Sequence, residues 1–330
     1  MRIAIEDARQ LAERGLRGQG LPEADAALVA EHLLDCELRG LGYAGLARVV
    51  SIAERFERLR RQERPVEVLS ETAVSASISG GDNVGYVVGH RATRLAIAKA
   101  RESGIALVGA QDTWYTGMLS FYAEMATAAD LAVMIASNAT PWVAPAGGTE
   151  ARFGTNPICF GFPGEKGPVI WDIGISDVIH AQAVMARRLG RKLPPGTAYD
   201  AAGNPTTDPG AALEGAFVAW GGHRGSGLGI AVQLLGMIAG SPAMPDHLSG
   251  FGFLIIAFRP DLLGPVDIFK QKASDYADLV RATRPVPGGP PVRMPFDRSA
   301  ALRAERLAEG AIEVSEVILE RLRGMAQAPG

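Results

Sequence analysis

The stretch from residue 147 to residue 176, GGTEARFGTNPICFGFPGEKGPVIWDIGIS, constrains the fold more than any other part of the chain. Its glycines mark points where the backbone can bend or approach a ligand without a Cβ in the way. Two apolar runs of strand length follow, Ile158–Phe162 and Val169–Ile173, and each is bounded by glycine or proline. Asp172 lies within the second run, and Ser176 lies just beyond it. The pattern predicts a buried strand pair, which is either plain architecture or one wall of a ligand cleft.

The composition is typical of a globular protein, because 47% of the 330 residues are hydrophobic and 21% are charged. This length is enough for two or three domain-sized units. A net charge of −3 gives no reason to expect nucleic acid or an anionic membrane as a partner. No apolar run reaches the roughly 18–20 residues of a membrane span, and the acidic N-terminal segment is unlike a signal peptide. We therefore expect a cytoplasmic protein that does not bind membranes.

Only two cysteines occur, Cys36 and Cys159, and both lie in apolar surroundings far apart in the sequence. They predict buried free thiols in a reducing compartment. No Cys-x-x-Cys motif is present, and no pair of histidines has the spacing of metal ligands. The sequence therefore predicts no metal site.

Helical and strand patterns alternate along the chain, which predicts a mixed α/β fold. The first 64 residues read as helical, residues 81–86 read as a turn, and residues 193–215 read as an ordered loop rich in proline and glycine. Strands are predicted over residues 65–80, 105–110, 131–137 and 251–258, and helices over residues 87–102, 117–128, 179–188, 228–239, 267–283 and most of 299–322.

A glycine-rich segment with the spacing GxGxG, Gly225 to Gly229, precedes an apolar helix and follows His223 and Arg224. Free N–H groups at a helix start, together with an arginine, could hold a phosphate. As a Rossmann fingerprint the spacing is poor, so a tightly packed helix start is the competing interpretation. His223 is the best-placed titratable group, and His180 follows the strand exit. His32 and His90 lie in helical patterns and are predicted to be structural.

Four stretches together resemble the malate/L-lactate dehydrogenase-like NAD(P)-dependent oxidoreductases. This family includes ureidoglycolate, sulfolactate and diketogulonate dehydrogenases as well as cyclic imine carboxylate reductases such as piperideine-2-carboxylate reductases. The resemblance extends almost from end to end, and its most specific parts are GGTEARFGTNPICFGFP, WDIGIS, LPPGTAYDAAGNPTTDPGAALEG and HRGSGLGIAVQLLGMIAG.

The resemblance implies an α/β fold whose cofactor-binding sheet is not a Rossmann sheet. It implies a helical domain built from both chain ends, residues 1–64 and 296–330. An α/β core would then comprise residues 65–190 and 216–295, with the ordered loop at 191–215. Members of the family are generally homodimers, so a homodimer is expected here.

The resemblance also implies NAD or NADP as cofactor and a small substrate with a carboxylate. Arg48 matches the arginine that faces this carboxylate, and its planar guanidinium suits bidentate binding. Basic residues at 187, 188 and 191 are candidates for contact with the 2′-phosphate of NADP. The predicted cofactor-binding residues are Asp172, Ile173, Ser176, His180, His223, Arg224, Gly225 and Asp297.

The catalytic motifs depart from the family pattern at two places. Where the family has Arg-Gly-x-x-Ser-His-Gly-x-x-Arg, this chain has RGLGYAGLAR, which places Tyr43 at the serine and Ala44 at the catalytic histidine. Where the family has Asn-His-Phe-Gly, this chain has WYTG, so Tyr115 lies at the second histidine position. The predicted catalytic residues are therefore Tyr43, Tyr115 and Arg48.

Alanine cannot transfer a proton, and the loss of a general acid or base typically removes a factor of about 10²–10⁴ in rate. Three interpretations follow. The substrate could be a cyclic imine that is already protonated, Tyr43 or Tyr115 could donate the proton, or redox chemistry could be lost in favour of ligand binding or another reaction. The aromatic replacements also favour a bulkier, less polar substrate. We expect a reductase of a 2-oxo acid or cyclic imine-2-carboxylate, with a non-redox protein as the alternative.

Overall fold

A seven-stranded mixed sheet forms the centre of the protein, in a computed structural model that describes residues 1–59 and 64–327. The strands are β1 (Arg2–Ala4), β2 (Glu67–Glu71), β3 (Ser75–Val84), β4 (Ile105–Trp114), β5 (Ala132–Ser137), β6 (Val143–Ala144), β7 (Ile158–Phe162), β8 (Val169–Ile173), β9 (Ala198–Tyr199), β10 (Ala216–Val218), β11 (Phe251–Phe258) and β12 (Ala311–Glu313). The helices are α1 (Ile5–Gly18), α2 (Glu23–Leu38), α3 (Ala47–Arg58), α4 (Gly85–Ser103), α5 (Leu119–Thr127), α6 (His180–Arg188), α7 (Pro209–Glu214), α8 (His223–Ile238), α9 (Val266–Arg281), α10 (Asp297–Glu309) and α11 (Glu316–Gln327).

The strand order in the large sheet is β2-β3-β4-β11-β5-β7-β8. Only β3 and β4 are parallel, and α4 connects them. All other neighbours are antiparallel, with β11 inserted between β4 and β5. The α/β class is confirmed, and the order excludes a doubly wound parallel sheet.

Helices cover the two faces of this sheet unequally. Alternate residues of β5 point to opposite faces, so Val133 and Ile135 join the core beneath α4 and α5, whereas Met134 and Ala136 pack beneath α8. Helix α8 lies very close to β11, since a Cβ on Gly252 would collide with the backbone of α8. The rest of the α8 face of the sheet exposes apolar side chains to solvent.

The two ends of the chain pack together into a helical layer. Helices α1, α2 and α3 contact α10 and α11, and β1 pairs with β12 in an antiparallel ladder in which Ile3 faces Ile312. Leu16, Val49 and Ile318 are fully or almost fully buried in this core. The layer adjoins the large sheet through α2 and α4.

A small third sheet, β6-β10-β9, packs with α6 and α7 around a core that includes Phe153 and Phe217. The segment predicted as an ordered loop supplies β9 and α7 to this unit, so the loop prediction missed two short elements. Asp208 caps α7 by accepting a hydrogen bond from the Ala211 N–H at 2.7 Å.

Other boundaries also differ from the sequence-based expectation. The first 64 residues, which read as helical, begin with strand β1, and β4 extends to Trp114 beyond the predicted end at residue 110. The turn predicted at residues 81–86 is the end of β3 followed directly by α4. Helix α8 begins at His223, so the glycine-rich segment forms its first turns instead of preceding the helix. Close packing explains these helical glycines, because a Cβ on Gly229 would lie 2.6 Å from the Phe153 ring. None of the helices in the described residues is long and apolar enough to cross a membrane.

Candidate active site

A cavity of about 480 Å³ opens between the helical layer and the large sheet. Its walls come from the α2–α3 connection, the segment between β4 and α5, β8, the start of α6 and the segment before and into α10. The structure brings five of the predicted site residues to this one cavity, and they are Tyr43, Arg48, Tyr115, Asp172 and His180. Ala44 also lines it.

The connection between α2 and α3 is shaped by a buried carboxylate, Glu37. Its Oε1 atom accepts a hydrogen bond from the Leu46 N–H at 2.9 Å. A Cβ on Gly45 would lie 2.5 Å from the same oxygen, so glycine is needed there. Burial raises the pKa of Glu37 to about 7. Glu37 thereby fixes the segment that carries Tyr43 into the cavity.

Arg48, in the first turn of α3, is 9% exposed and lines the cavity. Its guanidinium lies 4.5 Å from the centre of the Tyr115 ring. No carboxylate in the described part of the chain forms an ion pair with it. A buried cation without a counter-charge is costly, so the site favours an anionic ligand.

Asp172, in β8, presents its carboxylate at the start of α5. The Ser120 N–H donates a hydrogen bond to Asp172 Oδ2 at 2.7 Å. This bond favours the ionised form, but burial is the larger effect and raises the pKa of Asp172 to about 6. Burial also raises the pKa of the Tyr43 phenol. Asp172 is therefore a cavity group that titrates near neutral pH.

His180 begins α6 and stacks on Trp142, with ring centres 3.9 Å apart and an interplanar angle of 18°. Its Nδ1 atom is buried and has no hydrogen-bond partner in the described residues. Burial and the neighbouring positive charges of Arg48 and Arg187 hold the pKa of His180 well below its usual value. The sequence did not predict Trp142 as a site residue, because the segment around Pro141 and Trp142 contains no recognisable motif.

The strand exit after β8 lies beside the turn that precedes α8. Ser176 forms a β-bridge with Ala219, and the Trp220 N–H donates a hydrogen bond to the Ile175 carbonyl at 3.0 Å. The Ser176 Oγ and Trp220 Nε1 atoms are buried without partners. Neither residue belongs to the lining of the cavity, so these are unsatisfied polar atoms next to it rather than in it.

Not every predicted cofactor residue faces the cavity. Ile173, Ser176 and Gly225 are not part of the cavity lining, and His223 and Arg224 are exposed at the start of α8. Asp297 lies outside the cavity lining, although its neighbours Phe296 and Arg298 contribute to it.

The carboxylate of Asp297 forms two hydrogen bonds of 2.9 Å with the Arg281 guanidinium and accepts a third from the Met294 N–H at 3.0 Å. This pairing lowers the pKa of Asp297. Its partners show that Asp297 holds the α10 turn in position.

The three arginines predicted as candidates for contact with the 2′-phosphate of NADP differ in exposure and in ion pairing. Arg188 forms an ion pair with Glu54 at 2.5 Å and a hydrogen bond of 3.0 Å with Ser51. Arg187 and Arg191 are exposed. Both cysteines are free and buried, and residues 1–59 and 64–327 contain no group of three His, Cys, Asp or Glu side chains that could hold a metal ion.

The family model of malate/L-lactate dehydrogenase matches residues 3–323 of the chain. The chain belongs to the malate/L-lactate dehydrogenase family. Family membership makes it an oxidoreductase of small carboxylates and implies a nicotinamide cofactor.

Individual family members are similar over their full length. The L-sulfolactate dehydrogenase of Methanothermobacter thermautotrophicus is 32% identical over 99% of this chain and 97% of its own. A dehydrogenase structure from Sinorhizobium meliloti superposes with a TM-score of 0.90 at 32% identity, covering 99% of this chain and 98% of that one. The structure of delta1-piperideine-2-carboxylate reductase from Pseudomonas syringae gives 0.85 at 25% identity, covering 98% and 99%.

Proposed function

We propose that this enzyme is an NAD(P)H-dependent reductase of a 2-oxo acid or a cyclic imine-2-carboxylate. The observation that carries the proposal is Arg48, a buried guanidinium that has no acidic partner in the described residues and lines the cavity. A substrate carboxylate supplies the missing counter-charge, and the planar fork can bind both of its oxygens. The names of the similar sulfolactate dehydrogenase and piperideine-2-carboxylate reductase fit these two substrate classes.

The residues present fit a nicotinamide cofactor. The unpartnered Ser176 Oγ and Trp220 Nε1 atoms would hold its polar groups, next to Gly221 and Gly222, which have φ values of 61° and open space where a Cβ would lie. When bound, a reduced nicotinamide would supply a hydride to C2 of the substrate. A carbonyl oxygen would then need one proton from the protein, and a protonated imine would need none. His223, Arg224 and Gly225 remain proposed outer contacts of this region, and Asp297 remains a proposed support of the cofactor through the α10 turn.

The proton for a carbonyl substrate comes from a cavity side chain. Tyr43 and Tyr115 both line the cavity, as does Asp172. The raised pKa of Tyr43 makes its phenol a weaker donor, whereas Asp172, with a pKa of about 6, holds a proton that it can release near neutral pH. We therefore favour Asp172 as donor and keep the two tyrosines as the alternatives to be tested.

We also propose that the enzyme is a homodimer that pairs through α8. Exposed Ile230, Leu234 and Ile238 form a stripe along this helix, and buried Val232 and Gly229 occupy its other side. A helix that is apolar on all sides is normally buried. The neighbouring sheet surface extends the apolar patch, because Ile105, Leu107, Phe162 and Trp171 are also exposed. The two buried free thiols agree with the proposed cytoplasmic location.

The proposal is tested by adding NADH and NADPH separately to the purified protein and following thermal unfolding. A ligand that binds only the native state raises the unfolding temperature. Loss of reduced cofactor is then followed with pyruvate, oxaloacetate, sulfopyruvate and piperideine-2-carboxylate. We expect stabilisation by at least one cofactor and turnover of at least one substrate. Binding of cofactor without any turnover would favour the non-redox alternative, and absence of both would refute the reductase.

A further inference from the structure

His180 brings an imidazole into the cavity from α6, an element different from the two at which the family resemblance places histidines. The side chain lines the same cavity as Arg48 and Asp172. Its ring is held flat against Trp142, with centres 3.9 Å apart. Because the stack restricts the ring, its nitrogens have fixed directions in the site.

The imidazole is neutral, and the structure indicates which nitrogen carries the hydrogen. Four arginines act on it, namely Arg48, Arg58, Arg187 and Arg188, and together with burial they disfavour a positive charge. Nδ1 is buried and has no partner in the described residues, so an N–H there would lack an acceptor. Nε2 is neither among the buried unpartnered atoms nor bonded to another described residue, and it is the nitrogen left to face the cavity. The favoured tautomer therefore has its hydrogen on Nε2.

We propose that His180 donates an Nε2–H hydrogen bond to the reacting carbonyl oxygen of a 2-oxo acid. This inference rests on the proposed reductase function and narrows it to one substrate class. As hydride reaches C2, negative charge develops on the carbonyl oxygen, and a fixed donor stabilises it. His180 keeps its own proton throughout, because the proton that completes the hydroxyl comes from another cavity group. A neutral imidazole is suited to this role, since the donor must not ionise during turnover.

The geometry disfavours a protonated cyclic imine as substrate. Its nitrogen already carries a hydrogen and has no lone pair, so it cannot accept a bond from Nε2–H. Arg48 would hold the carboxylate equally well in both classes, so discrimination falls to His180. The cyclic imine therefore loses one favourable contact that a 2-oxo acid makes.

The test uses His180→Phe, which keeps a flat ring against Trp142 but has no donor, and His180→Asn, which restores an N–H. His90→Phe is the matched control, because His90 lies on α4 outside the cavity lining. We expect His180→Phe to lower kcat on 2-oxo acids by about 10²-fold, as removal of an oxyanion donor typically does. His180→Asn should recover part of this loss, and His90→Phe should match the parent enzyme.

Binding provides a readout besides turnover. In protein saturated with NADH or NADPH, oxamate presents a carboxylate and a carbonyl oxygen, whereas propionate presents the carboxylate alone. We expect His180→Phe to weaken oxamate binding about tenfold or more, with unchanged propionate and cofactor binding. Equal losses for oxamate and propionate, or a loss confined to cofactor binding, would overturn the assignment. A parent enzyme that turns over only the imine would also overturn it, whereas failure to bind either cofactor would refute the proposed function itself.

Discussion

The guanidinium of Arg48 lies 4.5 Å above the ring of Tyr115. Tyr115 is the residue at the position where the family resemblance places a histidine. A second pair lies directly beside it, because Arg55 lies 4.0 Å above the ring of Trp114. The rings of Trp114 and Tyr115 are themselves in edge contact, with centres 5.5 Å apart. The last residue of β4 and the residue after it therefore supply two adjacent aromatic supports for arginines of α3. One of these arginines, Arg48, faces the cavity.

Replacing Arg48 with lysine should impair substrate binding more than chemistry. Lysine keeps the charge but loses the planar fork and the stack on Tyr115. We expect KM for the carboxylate substrate to rise by about 10²-fold or more, since disrupting a buried charge pair costs about 2–5 kcal/mol. Steady-state kinetics measure this change, and Arg58→Lys on the same helix is the control. An unchanged KM would remove Arg48 from the carboxylate site.

Asp172 should control the pH dependence of carbonyl reduction. Its pKa of about 6 means that the protonated form, the one able to donate, declines as pH rises through that value. We expect kcat for reduction to fall over this range. Asp172→Asn keeps an acceptor for the Ser120 N–H but cannot exchange a proton, so it should lower kcat by about 10²–10⁴-fold and abolish this limb of the profile. Tyr43→Phe and Tyr115→Phe serve as comparisons, and if either abolishes the limb while Asp172→Asn preserves it, the donor is a phenol.

Glu37 should make the folded state less stable as pH rises from about 4.5 through about 7. Its pKa is about 7 in the folded protein against an ordinary value of 4.5, so the folded state binds more protons than the unfolded state between these values. The free energy of unfolding therefore falls as pH rises through this window, and the contribution of Glu37 is fully present below it. Glu37→Gln keeps the acceptor for the Leu46 N–H without ionising.

Urea unfolding of both proteins at pH 5 and pH 8 measures this effect, and we expect the parent protein to lose up to about 3 kcal/mol more than the variant. Parallel losses in the two proteins would contradict the role of Glu37 ionisation.

Gly117 should tolerate no side chain. It has φ +77°, and an added Cβ would lie 2.5 Å from the Tyr86 ring and 2.6 Å from His32 Nε2. His32 Nε2 already accepts a hydrogen bond from the Met118 N–H at 3.0 Å, so the ring cannot move away without breaking it. We expect Gly117→Ala to destabilise the fold by about 2 kcal/mol or more. In contrast, Gly324→Ala, in open space on α11, should stabilise it by up to about 1 kcal/mol. Thermal unfolding of both variants tests this contrast.

A charge at the centre of the α8 stripe should prevent dimerisation. Leu234 is 53% exposed between Ile230 and Ile238, and burying a glutamate there against an apolar partner would be unfavourable. We expect light scattering after size exclusion to show a dimer for the parent protein and a monomer for Leu234→Glu. Val286→Glu, at an exposed position between α9 and α10, should remain dimeric. A monomeric parent protein would disprove the dimer, and a dimeric Leu234→Glu would move the interface away from α8.

The elements that sequence predicts well are those whose signals are local. The runs at β7, β8 and β11 were predicted with the same bounds as the structure has, because each is apolar and flanked by glycine, proline or a charge. Sheet order was not predictable in this way, since the position of β11 between β4 and β5 depends on contacts far apart in sequence. The predicted start of helix α8, residue 228, lies after its true start at His223, because the glycines suggest a loop. These glycines are needed inside the helix, since a side chain there would collide with Phe153 and other residues.

The site shows the same division. The family resemblance led to Arg48, Tyr43 and Tyr115, and strand patterning led to Asp172. Glu37 was missed because a carboxylate within a helical pattern gives no sign of being buried against Leu46. The role of His180 also needed the structure, because only the stack on Trp142 shows that its ring is held in the cavity.

The pairing of β1 with β12 has a consequence for biosynthesis. Arg2 pairs with Glu313 in this ladder. The first strand to be synthesised therefore cannot pair until nearly the whole chain has been made. While the ribosome is still at work, the apolar sides of α1 and α2 lack their cover from α10 and α11. Growing chains would then expose this surface for most of their synthesis time, and apolar surface exposed in this way favours aggregation until the last helices arrive.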